Sequence, residues 1–353
     1  MRKSLKGLSA ILPILLALGS VTVHAAQAPA APARIHKQGH HHHPAAKAAH
    51  KPARKVSRKV SHSRRKARRH IVPAIPSNGM RLGLRNTDDD LALKSSAAFV
   101  VDQDTGETVA VKNPDVVLPI ASLTKLMTAL VVLDSGLAMD DALEIGAEDV
   151  DTEKKTRSRL KVGTRLSRAE MLLLALMSSE NRAAMSLSRH YPGGRAAFVA
   201  QMNKKAQALG MASSHFADPA GLSQKSVSTA RDLHRLVKAA YAQPVIRSYT
   251  TQAQSTVRVN GRTLTFINSN RLVRKAGDWD IELQKTGFTN EAGRCLIMQA
   301  TVLSRRLAMI FLDSTGALTR YADAARVRKR VERELKAAQR HPKSPVAATA
   351  AAS

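Results

Sequence analysis

The apolar positions of the chain fall into a strand region, a helical region and a second strand region. Ala98-Phe99-Val100-Val101-Asp102 reads as a strand, Asp104-Thr105-Gly106 as a turn and Thr108-Val109-Ala110-Val111 as the returning strand. From Ser122 to Leu133 the residues Leu123, Leu126, Met127, Leu130, Val131 and Leu133 leave little polar surface, the pattern of a buried helix. Further helices are predicted over 168–190, opened by the capping box Ser167-x-x-Glu170, over 195–209, and over 230–241 behind Thr229-x-x-Asp232. Tyr191-Pro192-Gly193-Gly194 separates the first of these from the second. After about residue 255 the period changes to two. Residues 256–259 and 263–266 flank Asn260-Gly261, a type I′ hairpin signal. Strands follow near 281–285, 294–302 and 306–312, then an amphipathic helix from Tyr321 to Leu335. This order predicts an α+β domain whose antiparallel sheet joins the two ends of the domain around an inserted helical subdomain.

The amino terminus adds a compartment. Arg2, Lys3 and Lys6 precede an apolar run from Leu8 to Val23 and an Ala-x-Ala-like site, so residues 1–26 read as a secretory signal peptide. Pro13, Gly19 and Ser20 interrupt the run, which argues against a membrane span. Residues 27–85 are rich in Ala, Pro, Lys, Arg, His and Ser and are expected to be disordered, because they bury too little apolar surface to offset ordering entropy. The folded domain is expected over 86–337, with its first strand near Ala97, and 338–353 as a disordered tail. Of the formal net charge of +29, thirteen Lys/Arg with no Asp/Glu lie in 27–70 and three more in the signal, leaving +13 for the remainder. The basic segment has no aromatic residue to stack on bases, and export carries it away from nucleic acid. Anionic envelope polymers are its expected partners. His40 to His43 read as adventitious rather than as a metal site. Cys295, the single cysteine, permits no intramolecular disulfide and sits in an apolar strand run.

Three short motifs carry the chemistry, in the order Ser122-Leu123-Thr124-Lys125, Ser179-Glu180-Asn181 and Lys285-Thr286-Gly287. Ser-x-x-Lys alone is weak, since Ser63–Lys66 and Ser158–Lys161 also match it. At 122 it falls where a buried helix begins, and a spacing of three sets the hydroxyl and the amine on one face. A desolvated Lys125 near Lys285 would lose its proton readily and could take that of Ser122. Ser179 and Asn181 follow the apolar stretch 171–177, where a loop can face a cleft, pass a proton to a leaving amine and orient a substrate. Lys285 and Thr286 offer a carboxylate a charge and a hydrogen bond, and Gly287 lets a peptide lie against a strand edge. The backbone N–H groups of Ser122 and Phe288 are expected to form an oxyanion hole. This chemistry needs no metal and no cofactor.

With the flanking stretches Pro119-Ile120-Ala121-Ser122, Phe216-Ala217-Asp218-Pro219-Ala220-Gly221-Leu222-Ser223 and Gln284-Lys285-Thr286-Gly287-Phe288-Thr289-Asn290, the chain resembles the serine penicillin-binding proteins over roughly residues 90–337. Within them it is most similar to the D-alanyl-D-alanine peptidases of the S11 type, and among these to the endopeptidase (penicillin-binding protein 7/8) group. The resemblance implies a β-lactamase/transpeptidase-like fold, a periplasmic enzyme, peptidoglycan stem peptides as substrates and β-lactams as covalent inhibitors. It also implies that Ser122 is acylated, Lys125 is the base, Ser179 and Asn181 assist, and Lys285 and Thr286 hold the substrate carboxylate beside Gly287 and Phe288. Class A β-lactamases deacylate with a glutamate between the second and third motifs. Between Arg182 and Gln284 the sequence has only Glu282, in no Glu-x-x-Leu-Asn context, so slow release of a penicilloyl adduct is expected. Carboxypeptidase relatives usually continue into a β-rich second domain and a membrane anchor, whereas the pattern here stops after Leu335, which favours an endopeptidase. A carboxypeptidase is the alternative. A non-catalytic envelope-binding protein, acting through its basic segment, is the alternative of another class.

Overall fold

A five-stranded antiparallel sheet carries the domain, and the strands that build it come from both ends of the described chain. The structure, a computed structural model, describes residues 75–275 and 277–340. The expected signal peptide, the basic run 27–70 and the tail beyond 340 lie outside those residues. Strands β1 (Ser95–Asp102) and β2 (Thr108–Lys112) form the first hairpin. A helical insertion follows, and β9 (Asp280–Thr289), β10 (Gly293–Val302) and β11 (Arg305–Ser314) complete the sheet in the order β2-β1-β11-β10-β9. Every residue of β1 is buried, as a near-continuous apolar strand requires when both its faces are covered. Alternate residues serve opposite sides. Phe99, Ile297 and Ile310 pack toward the insertion, while Val100, Met298 and Met309 pack with Val327 and Val331 of the last helix, α8 (Thr319–Arg340).

The insertion opens with the short strand β3 (Leu118–Pro119), a 3₁₀ turn over Ala121–Thr124 and α2 (Lys125–Asp134). Eight of the ten α2 residues, Lys125 to Val132, are buried, which makes it the central helix. The pair β4 (Ala142–Glu144) and β5 (Arg165–Ser167) leads into α3 (Arg168–Met177), α4 (Asn181–Arg189) and α5 (Gly194–Ala208). β6 (Val227–Ser228) pairs with β3, and α6 (Ala230–Tyr241), α7 (Pro244–Thr251) and the hairpin of β7 (Gln254–Val259) with β8 (Arg262–Ile267) return the chain to β9. The type I′ turn is realised by φ of +48° at Asn260 and +75° at Gly261. The capping box closes as expected, the Glu170 N–H donating to Ser167 Oγ at 3.1 Å and the Ser167 N–H to Glu170 Oε2 at 2.8 Å. Among the described residues, no helix is long and apolar enough to cross a membrane.

Three boundaries differ from the sequence expectation, and one helix, α7, is additional to it. The segment read as one helix over 168–190 is two, α3 and α4, broken at Ser178–Glu180, where Ser179 adopts φ +64°. Part of the segment expected to be disordered is folded, as α1 (Asn78–Arg81) and a 3₁₀ turn over Leu84–Asn86. Polar contacts hold it, with Arg85 Nη2 on Asp313 at 2.8 Å and the Asn78 N–H on the Glu291 carbonyl at 2.9 Å, and such contacts leave no hydrophobic period. α7 begins with Pro244 at its first turn and is only eight residues long. α8 continues to Arg340, past the apolar stripe, and the pairs Arg328–Glu332 and Arg330–Glu334, each at 2.7 Å and spaced i,i+4, support its exposed face.

Candidate active site

The three motifs meet between the sheet edge and the insertion. Ser122 lies within the 3₁₀ turn that feeds α2, rather than at the first residue of an α-helix as expected. In 3₁₀ geometry residues three apart eclipse, and Lys125 Nζ stands 2.8 Å from Ser122 Oγ. The Lys125 amine also donates to Asn181 Oδ1 and to the Ala220 carbonyl, at 2.7 Å each. All three partners are uncharged and the lysine is 0% exposed. Burial therefore brings its pKa down to about 7, against the more distant pull of Asp218, Glu180 and Asp151. A neutral amine satisfies the same three contacts. Its two N–H bonds serve Asn181 and Ala220, and its lone pair receives the Ser122 proton.

Asn181 opens α4, and Ser179 occupies the left-handed break before it. That φ costs a serine about 1 kcal/mol, and it brings Ser179 Oγ within 2.9 Å of Lys285 Nζ. Lys285 is 0% exposed and also donates to the Thr286 carbonyl at 3.0 Å. Its pKa falls well below the ordinary lysine range, first through burial and then through the nearby cations Lys125 and Arg320. β9 is the edge strand of the sheet, as expected, but Lys285-Thr286-Gly287 lies within it rather than at its end, since the strand runs on to Thr289. Gly287 passes close to the Ser122 turn. A Cβ there would stand 3.0 Å from the Ile120 carbonyl and 3.3 Å from the Ser122 nitrogen, so a side chain would press the strand away from the serine. Phe288, the next residue, is 52% exposed and walls a cavity of about 210 Å³ that Ser122, Thr156, Asn181 and Leu222 also line. A larger cavity of about 270 Å³ beside Asp88–Asp90 contains none of the three motifs.

All eight residues that the sequence marks as candidates are thus gathered around one cleft, and residues that the motifs do not include contribute to it as well. The stretch 216–223, a flanking resemblance in the sequence, forms a loop of defined purpose. The Asp218 carboxylate accepts the N–H groups of Ala220, Gly221, Leu222 and Ser223 at 2.6–3.1 Å, and the folded loop aims the Ala220 carbonyl at Lys125. An Asp followed by Pro, Ala and Gly is a turn signal that could have shown the loop, though not its target. Ser269 Oγ, 2.8 Å from Thr286 Oγ1, left no sequence signal. Arg320 on α8 donates to the carbonyls of Gly287 at 3.0 Å and Cys295 at 3.2 Å, adding positive charge behind the strand. Cys295 is fully buried and its thiol is pushed up to about 12, chiefly by that burial, consistent with a small core residue.

A family model described as D-alanyl-D-alanine carboxypeptidase, peptidase S11, matches residues 85–316. The chain belongs to this family. Among S11 relatives it is 49% identical over 242 residues to a D-alanyl-D-alanine endopeptidase of Pseudomonas aeruginosa, covering 68% of this chain and 78% of that one. It is 42% identical over 263 residues to a D-alanyl-D-alanine endopeptidase of Escherichia coli K12, covering 74% and 84%. A D-alanyl-D-alanine carboxypeptidase of Bacillus subtilis is 29% identical over 235 residues, covering 64% and 59%. The crystal structure of the Streptomyces K15 DD-transpeptidase superposes with a TM-score of 0.63 at 26% identity, covering 67% of this chain and 96% of that one. The S11 fold is therefore the α+β, transpeptidase-like one expected from the motifs.

Proposed function

We propose that this S11 enzyme cleaves D-alanyl peptide cross-links of peptidoglycan through an acyl-enzyme on Ser122. The observation that carries the reading is the buried, uncharged-partnered contact of Lys125 with Ser122. Neutral Lys125 takes the Ser122 proton as the oxygen attacks the scissile carbonyl. The oxyanion forms against the backbone N–H groups of Ser122 and Phe288. Ser179, bridged to Lys285, passes a proton to the departing amine, and Asn181 orients the acyl side of the peptide. Lys285 and Thr286 receive the carboxylate of the leaving group, whose arrival restores a counter-charge to a lysine that burial has disfavoured as a cation. Water then hydrolyses the ester.

Supporting an endopeptidase over a carboxypeptidase, the relatives at 42–49% identity carry the endopeptidase name, whereas the Bacillus subtilis carboxypeptidase stands at 29%. A cell-wall substrate also accords with the export signal read at 1–26. Digestion of purified muropeptides tests the choice: cross-linked dimers are expected to be cut to monomers. Release of D-alanine from pentapeptide with dimers untouched selects the carboxypeptidase instead.

Treatment with a fluorescent penicillin is expected to label the protein covalently, with the adduct mapping to the peptide that holds Ser122. A second expectation concerns its release. Glu282, the one glutamate of the sequence interval that β-lactamases use, accepts from Gln299 Nε2 at 3.1 Å and Thr301 Oγ1 at 2.8 Å on β10, and so is committed to the sheet. The penicilloyl ester should therefore persist long after free drug is removed. Rapid loss of label with continuous penicillin hydrolysis overturns this. An envelope-binding protein without catalysis takes up no label at all.

A further inference from the structure

We propose that Thr156, itself held by Asp151, is the positioning residue that decides which end of the Asn181 amide meets Lys125. The inference rests on the reading of Lys125 as the base for Ser122 and extends it to a loop outside the three motifs.

A carboxamide presents an acceptor on one side and two donors on the other, and its own shape does not choose between them. Lys125 requires the acceptor, Asn181 Oδ1, at 2.7 Å. The choice falls to the partner of the opposite end, where Asn181 Nδ2 stands 2.9 Å from Thr156 Oγ1. A threonine hydroxyl has one proton, and here that proton is already engaged. Thr156 Oγ1 donates to Asp151 Oδ2 at 2.7 Å. The same carboxylate accepts the backbone N–H groups of Thr156 at 2.9 Å, Glu153 at 3.0 Å and Lys154 at 2.9 Å. Although burial opposes it, the Thr156 hydroxyl and these backbone donors keep the Asp151 carboxyl below its ordinary range. Asp151 is thus ionised and accepts only, so toward Asn181 the Thr156 oxygen has nothing left but lone pairs. A flipped amide would set Oδ1 against those lone pairs and Nδ2 against the lysine amine. Proton counting along Asp151, Thr156, Asn181 and Lys125 leaves a single arrangement.

The other contacts of Lys125 lack this freedom. Ser122 is the proton donor itself, and the Ala220 carbonyl is fixed by its backbone. The charged groups acting on Lys125 are Asp218 from the loop behind α2, Glu180 ahead of α4, Asp151, and Lys285 from β9. Removing the Thr156 hydroxyl leaves Asp218, Glu180 and Lys285 untouched and takes one donor from Asp151, which keeps the backbone N–H groups of Glu153, Lys154 and residue 156.

Acylation by a fluorescent penicillin, followed across its acid limb in the full-length protein, tests the inference. Thr156→Val is expected to slow acylation about tenfold, the worth of one well-placed hydrogen bond. It is also expected to move the acid limb to lower pH, because an ammonium loses more than an amine when its acceptor is withdrawn. Thr156→Ser is expected to restore both rate and limb. Thr156→Ala, which removes the hydroxyl without an added branch, is measured beside Thr156→Val, and the melting midpoint of each shows that its fold is intact. A Val or Ala variant slowed with an unmoved acid limb overturns the proposal, since a loop merely held in place gives that result. So does a wild-type profile in Val and Ala, or a Ser variant that behaves like Val. Absence of label from the wild-type protein would instead sink the functional reading, a separate outcome.

Discussion

Replacing Lys125 with methionine is expected to lower penicillin acylation about 10²- to 10⁴-fold, the range in which a general base is worth its place. The same change is expected to make thermal stability relative to wild type pH-dependent, favouring the variant more in acid than in alkali. The first effect follows from contact, since the Lys125 amine is 2.8 Å from Ser122 Oγ and no other titratable side chain hydrogen-bonds that oxygen among the described residues. Methionine matches the length and flexibility of the lysine stem and removes the base. In the wild-type enzyme the acylation rate should climb with pH through a midpoint near 7, as Lys125 gives up its proton. A Met variant that keeps a tenth of the wild-type rate removes lysine from the mechanism.

The stability effect has a definite sign. The folded pKa of Lys125 is about 7, whereas an exposed lysine in the unfolded chain titrates near 10.4. Between these values the unfolded state binds the extra proton, so this residue's penalty is full below pH 7 and is relieved as pH rises toward 10. The gap corresponds to a destabilisation on the order of 4 kcal/mol at low pH. Two acceptors left without a donor, Asn181 Oδ1 and the Ala220 carbonyl, oppose that gain at about 1–3 kcal/mol each, a loss of similar size that does not follow the Lys125 titration. What survives the offset is the pH dependence. The melting midpoint of Lys125→Met relative to wild type should be higher in mildly acidic buffer than in alkaline buffer. A constant difference across that range would mean that Lys125 is protonated in the folded enzyme. Activity here is maintained against stability, as strained and desolvated sites commonly require.

Most of the framework was legible because the elements that form it obey simple periods. The strands of the sheet, the greasy α2, the helices α5 and α6 and the Asn260-Gly261 hairpin each fall where apolar spacing and turn chemistry place them. The site was legible for a related reason. A lysine at position 125, inside an otherwise apolar helix, has no structural purpose that a leucine would not serve better, and a buried lysine points to chemistry. What escaped has a common cause, dependence on polar contacts between distant residues. The break between α3 and α4 follows from the left-handed Ser179, which no local pattern announces. The folding of residues 77–86 onto the sheet rests on Arg85–Asp313 and Asn78–Glu291. The Asp218 loop, Thr156 and Ser269 act on site residues that lie 17 to 98 positions away along the chain. Hydrophobic period reports burial of a face, and it says nothing about which carbonyl or hydroxyl will stand at the end of a buried amine.

Gly221→Ala is expected to destabilise the folded enzyme by about 3 kcal/mol or more and to disable acylation with it, because strain and a clash coincide at this residue. Its φ is +74°, a conformation that costs a residue with a Cβ roughly 1–2 kcal/mol. The added carbon would also stand 1.9 Å from the carbonyl oxygen of Ala121, the residue before the nucleophile, and 2.7 Å from Thr124 Oγ1. That carbonyl is backbone in a tight turn, whose own Ala121 has φ +47°, so it cannot swing aside as a flexible side chain would. Overpacking of this kind adds about 1–3 kcal/mol. For a domain of this size the melting midpoint should fall by roughly 6–12 °C. Relief of the clash must move either the Ser122 turn or the loop bearing Ala220, and both end on Lys125, so acylation fails whichever gives way. Gly136→Ala is the control. Its φ is +64° but nothing lies within 4 Å of the added carbon, so only the strain of about 1 kcal/mol applies and labelling stays at the wild-type rate. Equal losses in the two variants would show that backbone strain alone, rather than the close approach of the loop to the nucleophile, explains the glycine at 221.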